Sequence, residues 1–173
     1  MVQIYQTNQQ KNLSNTASSF IMVKKRGDTM KQLKHFIPAL IWMIIIFVES
    51  AMPATASSEQ SGVIVDFINN WLPATSQYID MITFLVRKCA HISEYIILTL
   101  LIYYALYKNN HASYLYTYLI SLTYACLDEF HQLFVPGRAG MIQDVMIDSI
   151  GIILALCLIA VFLKFKAKKQ LLY

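Results

Sequence analysis

Residues Tyr124–Gly151 read YACLDEFHQLFVPGRAGMIQDVMIDSIG and lie between two strongly apolar runs. They carry Asp128, Glu129, His131, Arg138, Asp144 and Asp148, together with the amide of Gln132. Ionisable groups this close to hydrocarbon are costly, so they mark a site before they mark packing. A second polar cluster opens another apolar run upstream, at Arg87, Lys88, His91, Ser93 and Glu94. Any fold of this chain must find somewhere to put both.

The composition says what kind of solvent surrounds them. The 173 residues are 57% hydrophobic and 14% charged, against about 25% charged in soluble domains. Long apolar runs with so few charges point to an integral membrane protein. Three cysteines (Cys89, Cys126, Cys157) sit inside apolar segments in no metal or disulfide spacing, and are expected as small core hydrophobes. There is no CxxC, Gly-rich phosphate loop or GxSxG, so nucleotide and serine-hydrolase readings gain no support, and no nucleic-acid partner is expected.

Four segments reach the ~20 residues that cross a ~30 Å hydrocarbon core: His35–Met52, Lys88–Tyr107, Ser113–Phe134 and Asp144–Phe165. The expected fold is therefore an all-α membrane protein with four transmembrane helices over residues 35–165. Residues 1–34 form a polar, lysine-rich extension, and residues 166–173 a basic tail. Translation is expected to start at Met30, behind codons for Lys24-Lys25-Arg26-Gly27-Asp28 that suit a ribosome-binding site. Between the first two spans, Pro53–Gly62 reads as a loop. Val63–Leu72 and Ser76–Val86 read as short amphipathic helices along the interface, with Trp71 and Tyr78 at headgroup depth.

Eleven of the fourteen basic residues fall before the first span, in the turn at 108–112, or at and beyond the end of the fourth span, from Lys164 onward. The positive-inside rule places those regions, and both termini, in the cytoplasm. Arg87, Lys88 and Arg138 then lie on the opposite side, and every intramembrane ionisable group shares one depth near that interface.

Helical spacing gives these groups faces. Lys88, His91 and Tyr95 form one stripe, and Asp128, His131 and Gln132 a second, with Glu129 pointing elsewhere. Asp144, Asp148 and Gly151 form a third, continued by Ala155, where a small residue beneath two carboxylates admits a close neighbour helix. Glu94, Asp128 and Asp148 lie one to two turns inside and point to a shared polar cavity. Pro136-Gly137-Arg138 is a turn signature. Arg138 there closes the hairpin onto Asp128, Glu129 or Asp144, or else clamps an anion such as phosphate or carboxylate.

These residues resemble the VanZ-like family of bacterial membrane proteins. The resemblance rests on RKxxHxxEY at Arg87–Tyr95, YAxxDExHQxFVPGR at Tyr124–Arg138, and DVxxDxxG at Asp144–Gly151. It covers about His35 to Leu163 and implies a four-helix protein of the bacterial plasma membrane. Its motif residues fall here on Arg87, Lys88, His91, Glu94, Tyr95, Asp128, Glu129, His131, Gln132, Pro136, Arg138, Asp144, Asp148 and Gly151. Glu49-Ser50-Ala51-Met52-Pro53 departs from the serine-rich SSQP-like stretch implied after the first helix. Founding members of the family are associated with low-level resistance to the glycopeptide teicoplanin.

Three functions compete. In the first, an outward cavity binds or shields a lipid-linked cell-wall precursor, an anionic lipid or a glycopeptide, with Arg87, Lys88 and Arg138 as its cationic side. In the second, the protein is a membrane-embedded hydrolase. A divalent metal there would draw on His91, Glu94, Asp128, His131 and Asp144, or Glu94 or Asp128 beside His91 would act as general base without one. The third, an ion or proton conduit, is disfavoured because Ile96–Ala105 and Ile152–Phe162 read as apolar inner halves.

Overall fold

The computed structural model describes residues 32–71 and 78–170. The proposed start at Met30, the extension before it and the far end of the basic tail lie outside them. The described residues form five helices and no strand: α1 (Ile37–Ser50), α2 (Ala54–Trp71), α3 (Ile79–Lys108), α4 (Tyr114–Gln132) and α5 (Ile142–Gln170).

Their ends follow local chemistry. Pro38 sits in the first turn of α1, where its missing N–H costs nothing. The end of α3 is closed by Asn110 at φ 58°. His111 N–H then donates to Leu106 O at 2.9 Å and Asn110 N–H to Tyr107 O at 3.2 Å. That pair of bonds satisfies the last carbonyls as a Schellman motif, with asparagine in place of glycine. Ser113 caps α4 by accepting from Tyr116 N–H, as N-cap serines do. After α4, Pro136 and Gly137 occupy the centre of a turn closed by Arg138 N–H to Val135 O at 3.1 Å. Gly137 has φ 75°, the left-handed value that a type II turn requires at that place.

Two expectations for the first connection are corrected. Pro53–Gly62 is not a loop, because α2 starts at Ala54, directly behind Pro53, and runs through it. Ser76–Val86 is not a separate helix either. Its described part from Ile79 onward is the start of α3, which has no glycine or proline in 30 residues to break it. At ~1.5 Å per residue α3 is about 45 Å long, longer than a ~30 Å hydrocarbon core. Leu72–Gln77, where the two interfacial helices were to separate, lie outside the described residues, and so does the placement of the Trp71 side chain.

Contacts fix the directions. Lys88 pairs with Asp144, and His91 lies 3.5 Å from Asp148, so α3 and α5 run parallel. Trp42 Nε1 donates to Glu94 O at 3.0 Å, and Tyr124 OH donates to Met43 O. Helix α1 therefore runs beside α4 and against α3. Residues Lys88, Gln132 and Asp144 meet at one end of the bundle, hereafter the polar end. At the other, His35 Nδ1 meets Asn109 Oδ1 at 2.9 Å, and Asn109 Nδ2 donates to Gln32 O. This second end also carries Lys108 and Lys164–Lys169 and is the lysine end.

Three helical stretches are long and apolar enough to cross a membrane: Gln32–Ser50, Ile79–Lys108 and Ile142–Gln170. Helix α4, expected as a fourth, does not reach that apolarity. The reason is its buried face, Thr117, Ser121, Ala125, Asp128, Glu129 and Gln132, which is polar almost throughout. Thr99 Oγ1 donates to Ser121 Oγ at 3.2 Å and Thr117 Oγ1 to Ser113 O at 2.8 Å, so buried polarity extends deeper than expected.

The molecule's outside is apolar. Ile44, Phe134, Ile142 and Phe162 are all more than 60% exposed. Cys89, Cys126 and Cys157 are exposed too, not core residues as expected. An apolar neighbourhood signals burial in a soluble fold, whereas here apolar side chains also cover the surface.

Candidate functional site

The close approach of α3 and α5 organises the polar end. A β-carbon on Gly151 would come within 2.5 Å of Ile92 O, so only glycine lets the two backbones meet there. Gly151 and Ala155 are both buried, as the small-residue stripe predicts. One turn above, the stripes of the two helices pair residue by residue.

The upper layer is an ion pair. Lys88 Nζ contacts Asp144 Oδ1, both side chains largely covered. Beside it Gln132 Nε2 donates to Glu129 Oε1 at 3.0 Å and to Asp128 Oδ2 at 3.3 Å. Glu129 Oε2 in turn accepts from Met141 N–H at 3.1 Å, tying α4 to the start of α5. Glu129 is thus buried inside the cluster, not directed elsewhere. His131 turns away from it, ring centroid 4.4 Å from that of Phe47 and Nδ1 3.4 Å from Ser50 Oγ. The 100° step per residue makes both placements available to a stripe at i, i+3, i+4; contact with α1 decides between them.

The lower layer holds buried groups short of partners. Asp148 is fully buried, and neither carboxylate oxygen has a hydrogen-bond partner. His91 Nδ1 approaches Oδ1 at 3.5 Å, too far for a well-formed hydrogen bond. Asp128 Oδ1 and the Tyr95 hydroxyl are likewise buried and unpartnered. Glu94 is half-buried on the same helix. Unsatisfied buried polar atoms are uncommon in native structures, and each asks for a reason.

A cavity of about 440 Å³ opens above these layers. Arg87, Lys88 and Arg138 line it, together with Gln132 and Asp144 and, along α3, Asp80, Thr83 and Phe84. Asp80, Thr83 and Phe84 escaped the sequence reading. They extend the Arg87–Lys88 stripe at helical spacing, a continuity hidden by treating Ser76–Val86 as its own helix.

Arg138 makes no ion pair with Asp128, Glu129 or Asp144, the salt bridge first considered for it. Its Nε donates to Met52 O at 2.8 Å and its Nη2 to Glu49 O at 3.0 Å. These are carbonyls at the C-terminal end of α1, where a cation offsets the helix dipole. Glu49 thus takes part through its backbone. Burial lowers the Arg138 pKa from its ordinary value, and the like charge of Arg87 works in the same direction.

The donors considered for a metal do not gather. Asp144 is engaged by Lys88 and His131 faces α1. Among the described residues no group of three or more His, Cys, Asp or Glu is arranged to hold an ion.

A family model described as VanZ/LLP1 matches residues 35–163. The chain belongs to that family. No curated protein and no solved structure matches it.

Proposed function

We propose that this VanZ/LLP1 protein is a multi-pass protein of the bacterial plasma membrane that binds an anionic headgroup in an outward-facing cavity. The ligand is a lipid-linked cell-wall precursor or another anionic lipid, or a glycopeptide engaged through its carboxylate. The observation that carries the reading is the placement of Arg87 and Arg138 on one 440 Å³ cavity. Arg87 makes no ion pair among the described residues. Two guanidiniums facing one opening repel each other, and an anion between them relieves that repulsion; the guanidinium fork suits phosphate and carboxylate.

Helix α4 is the fourth span in this reading. Its 19 residues give about 28 Å of helix, and its polar face is hidden among the other three spans. The lysine end faces the cytoplasm by the positive-inside rule. The protein then protects the cell by holding or masking its ligand, in line with glycopeptide resistance.

The test is titration of protein in neutral-lipid nanodiscs with a polyprenyl phosphate, phosphatidylglycerol or teicoplanin. Binding of at least one of them, weakened tenfold or more by Arg87→Ala, is expected. Absence of binding by all three, or equal affinity in Arg87→Ala, overturns it.

A hydrolase is the second reading, favoured by the unpartnered His91, Asp128 and Asp148 atoms one turn beneath the cavity. It predicts that His91→Ala and Glu94→Gln abolish turnover of a bound lipid phosphate while binding persists.

A further inference from the structure

Helices α3 and α5 touch at Gly151, and toward the lysine end the stripe of small residues gives way to Ile159 and Phe162. A groove of about 440 Å³ opens between them, walled by Tyr103, Tyr107, Leu158 and Phe162 and rimmed by Lys108 and Lys166. It is separate from the polar cavity, at the opposite end of the same helix pair.

Its shape and charge are those of a lipid site. The walls run from Leu100 to Lys108 and from Leu158 to Lys166, about 12 Å along each helix. One leaflet of a ~30 Å hydrocarbon core is about 15 Å deep. Leu158 and Phe162 are 57% and 67% exposed, leaving an apolar trough open to the side. Lys108 Nζ stands 5.7 Å from the centre of the Tyr104 ring, and neither rim lysine makes an ion pair among the described residues. No carboxylate occurs on α3 after Glu94 or on α5 after Asp148. Lys164, Lys168 and Lys169 add to an uncompensated positive end. Basic pockets between membrane helices on the cytoplasmic side recognise anionic lipid headgroups.

We propose that this groove holds one acyl chain of an anionic phospholipid of the cytoplasmic leaflet, with its phosphate between Lys108 and Lys166. The site rests on the membrane orientation above, not on what fills the Arg87–Arg138 cavity.

Native mass spectrometry of the full-length protein tests it. Phosphatidylglycerol, phosphatidylcholine with the same acyl chains, or glycerol phosphate is added before release from micelles. One phosphatidylglycerol should be retained at least fivefold more than phosphatidylcholine, and glycerol phosphate not at all. On an Arg87→Ala background, which weakens phosphatidylglycerol binding in the polar cavity, Lys108→Ala with Lys166→Ala should erase the preference, and Leu158→Trp, which fills the groove beneath intact lysines, should lower retention of both lipids. The lysine and Leu158 changes lie on exposed positions, away from the bundle core. Equal retention of the two lipids by the unaltered protein overturns the proposal, as does an unchanged preference in the lysine variant. Retention of glycerol phosphate would identify a phosphate site without a lipid and overturn it too. Polyprenyl phosphate binding, read on the same changes made with Arg87 intact, should be unaffected by either, so failure at one site is distinguishable from failure at the other.

Discussion

Gly151 faces the backbone of Ile92 so closely that an added β-carbon would lie 2.5 Å from the Ile92 carbonyl oxygen. That one approach sets how far apart α3 and α5 stand at the polar end. It therefore sets the pairing of Lys88 with Asp144 and of His91 with Asp148.

Replacing Gly151 by alanine should accordingly force the helices apart, because the obstructing atom is backbone and has nowhere to rotate. Overpacking of this kind costs about 1–3 kcal/mol. Thermal unfolding in micelles should show a lowered midpoint. A companion Ala155→Gly variant, which only relaxes the packing, separates crowding from a general loss of small residues. An unchanged midpoint in Gly151→Ala would mean that the two helices are not in backbone contact.

Lys88 and Asp144 are largely covered, with side chains 18% and 13% exposed, so neither charge is well served by water once its partner is gone. Lys88→Met and Asp144→Asn should each destabilise by about 1–3 kcal/mol, below the full cost of breaking a wholly buried pair. The double variant should cost less than the sum, and a double-mutant cycle measures the difference. Additive losses would show that the pair contributes nothing.

Arg138 joins the α4–α5 turn to α1 through Met52 O and Glu49 O. Hydrogen bonds to a charged donor contribute roughly 1.5–3 kcal/mol. Arg138→Ala should release the end of α1, and hydrogen exchange should speed up at both 49–53 and 136–141. Arg138→Lys keeps the charge but not the fork, and should restore only part of the protection. Faster exchange confined to 136–141 would show that the turn and α1 are not coupled.

If the lysine end faces the cytoplasm, His111→Cys on a cysteine-free background should resist membrane-impermeant maleimide in intact cells, and Asp80→Cys should react. Both positions are exposed. The reverse pattern would invert the orientation and move the Arg87–Arg138 cavity to the cytoplasmic side.

Much of this arrangement is legible in the sequence, and the parts that are not share a cause. The Lys88–His91–Tyr95 and Asp144–Asp148–Gly151 stripes can be read because periodicity alone decides which residues share a helix face. The turn at Pro136–Gly137 can be read because its dihedral needs are local. Glu129 and His131 cannot be assigned this way. Both border the same stripe on α4, and the choice depends on whether α1 or α5 packs beside it. The partner of Arg138 is hidden for a related reason, since the acceptors are backbone carbonyls that no residue type advertises. The three cysteines mislead because one apolar pattern serves both a core and a bilayer-facing surface.

Asp148 gives the sharpest separation of stability from function. It is fully buried, both oxygens lack a hydrogen-bond partner, and the basic group facing it is His91, whose Nδ1 lies 3.5 Å away. A buried carboxylate so poorly compensated is costly to the fold, whereas an amide of the same shape carries no charge. Asp148→Asn should raise the thermal midpoint, by the equivalent of about 1–2 kcal/mol. If the unpartnered oxygens exist to meet a ligand or to move a proton, the same variant should lose ligand binding or turnover at least tenfold despite the firmer fold. Tyr95→Phe serves as the neutral comparison, since it removes a buried hydroxyl that likewise has no partner and should be close to silent in stability. A destabilised Asp148→Asn would mean that the carboxylate is held by contacts the amide cannot reproduce. A stabilised variant with full binding and turnover would mark the lower layer as a remnant of packing, and leave function to the cationic cavity above it.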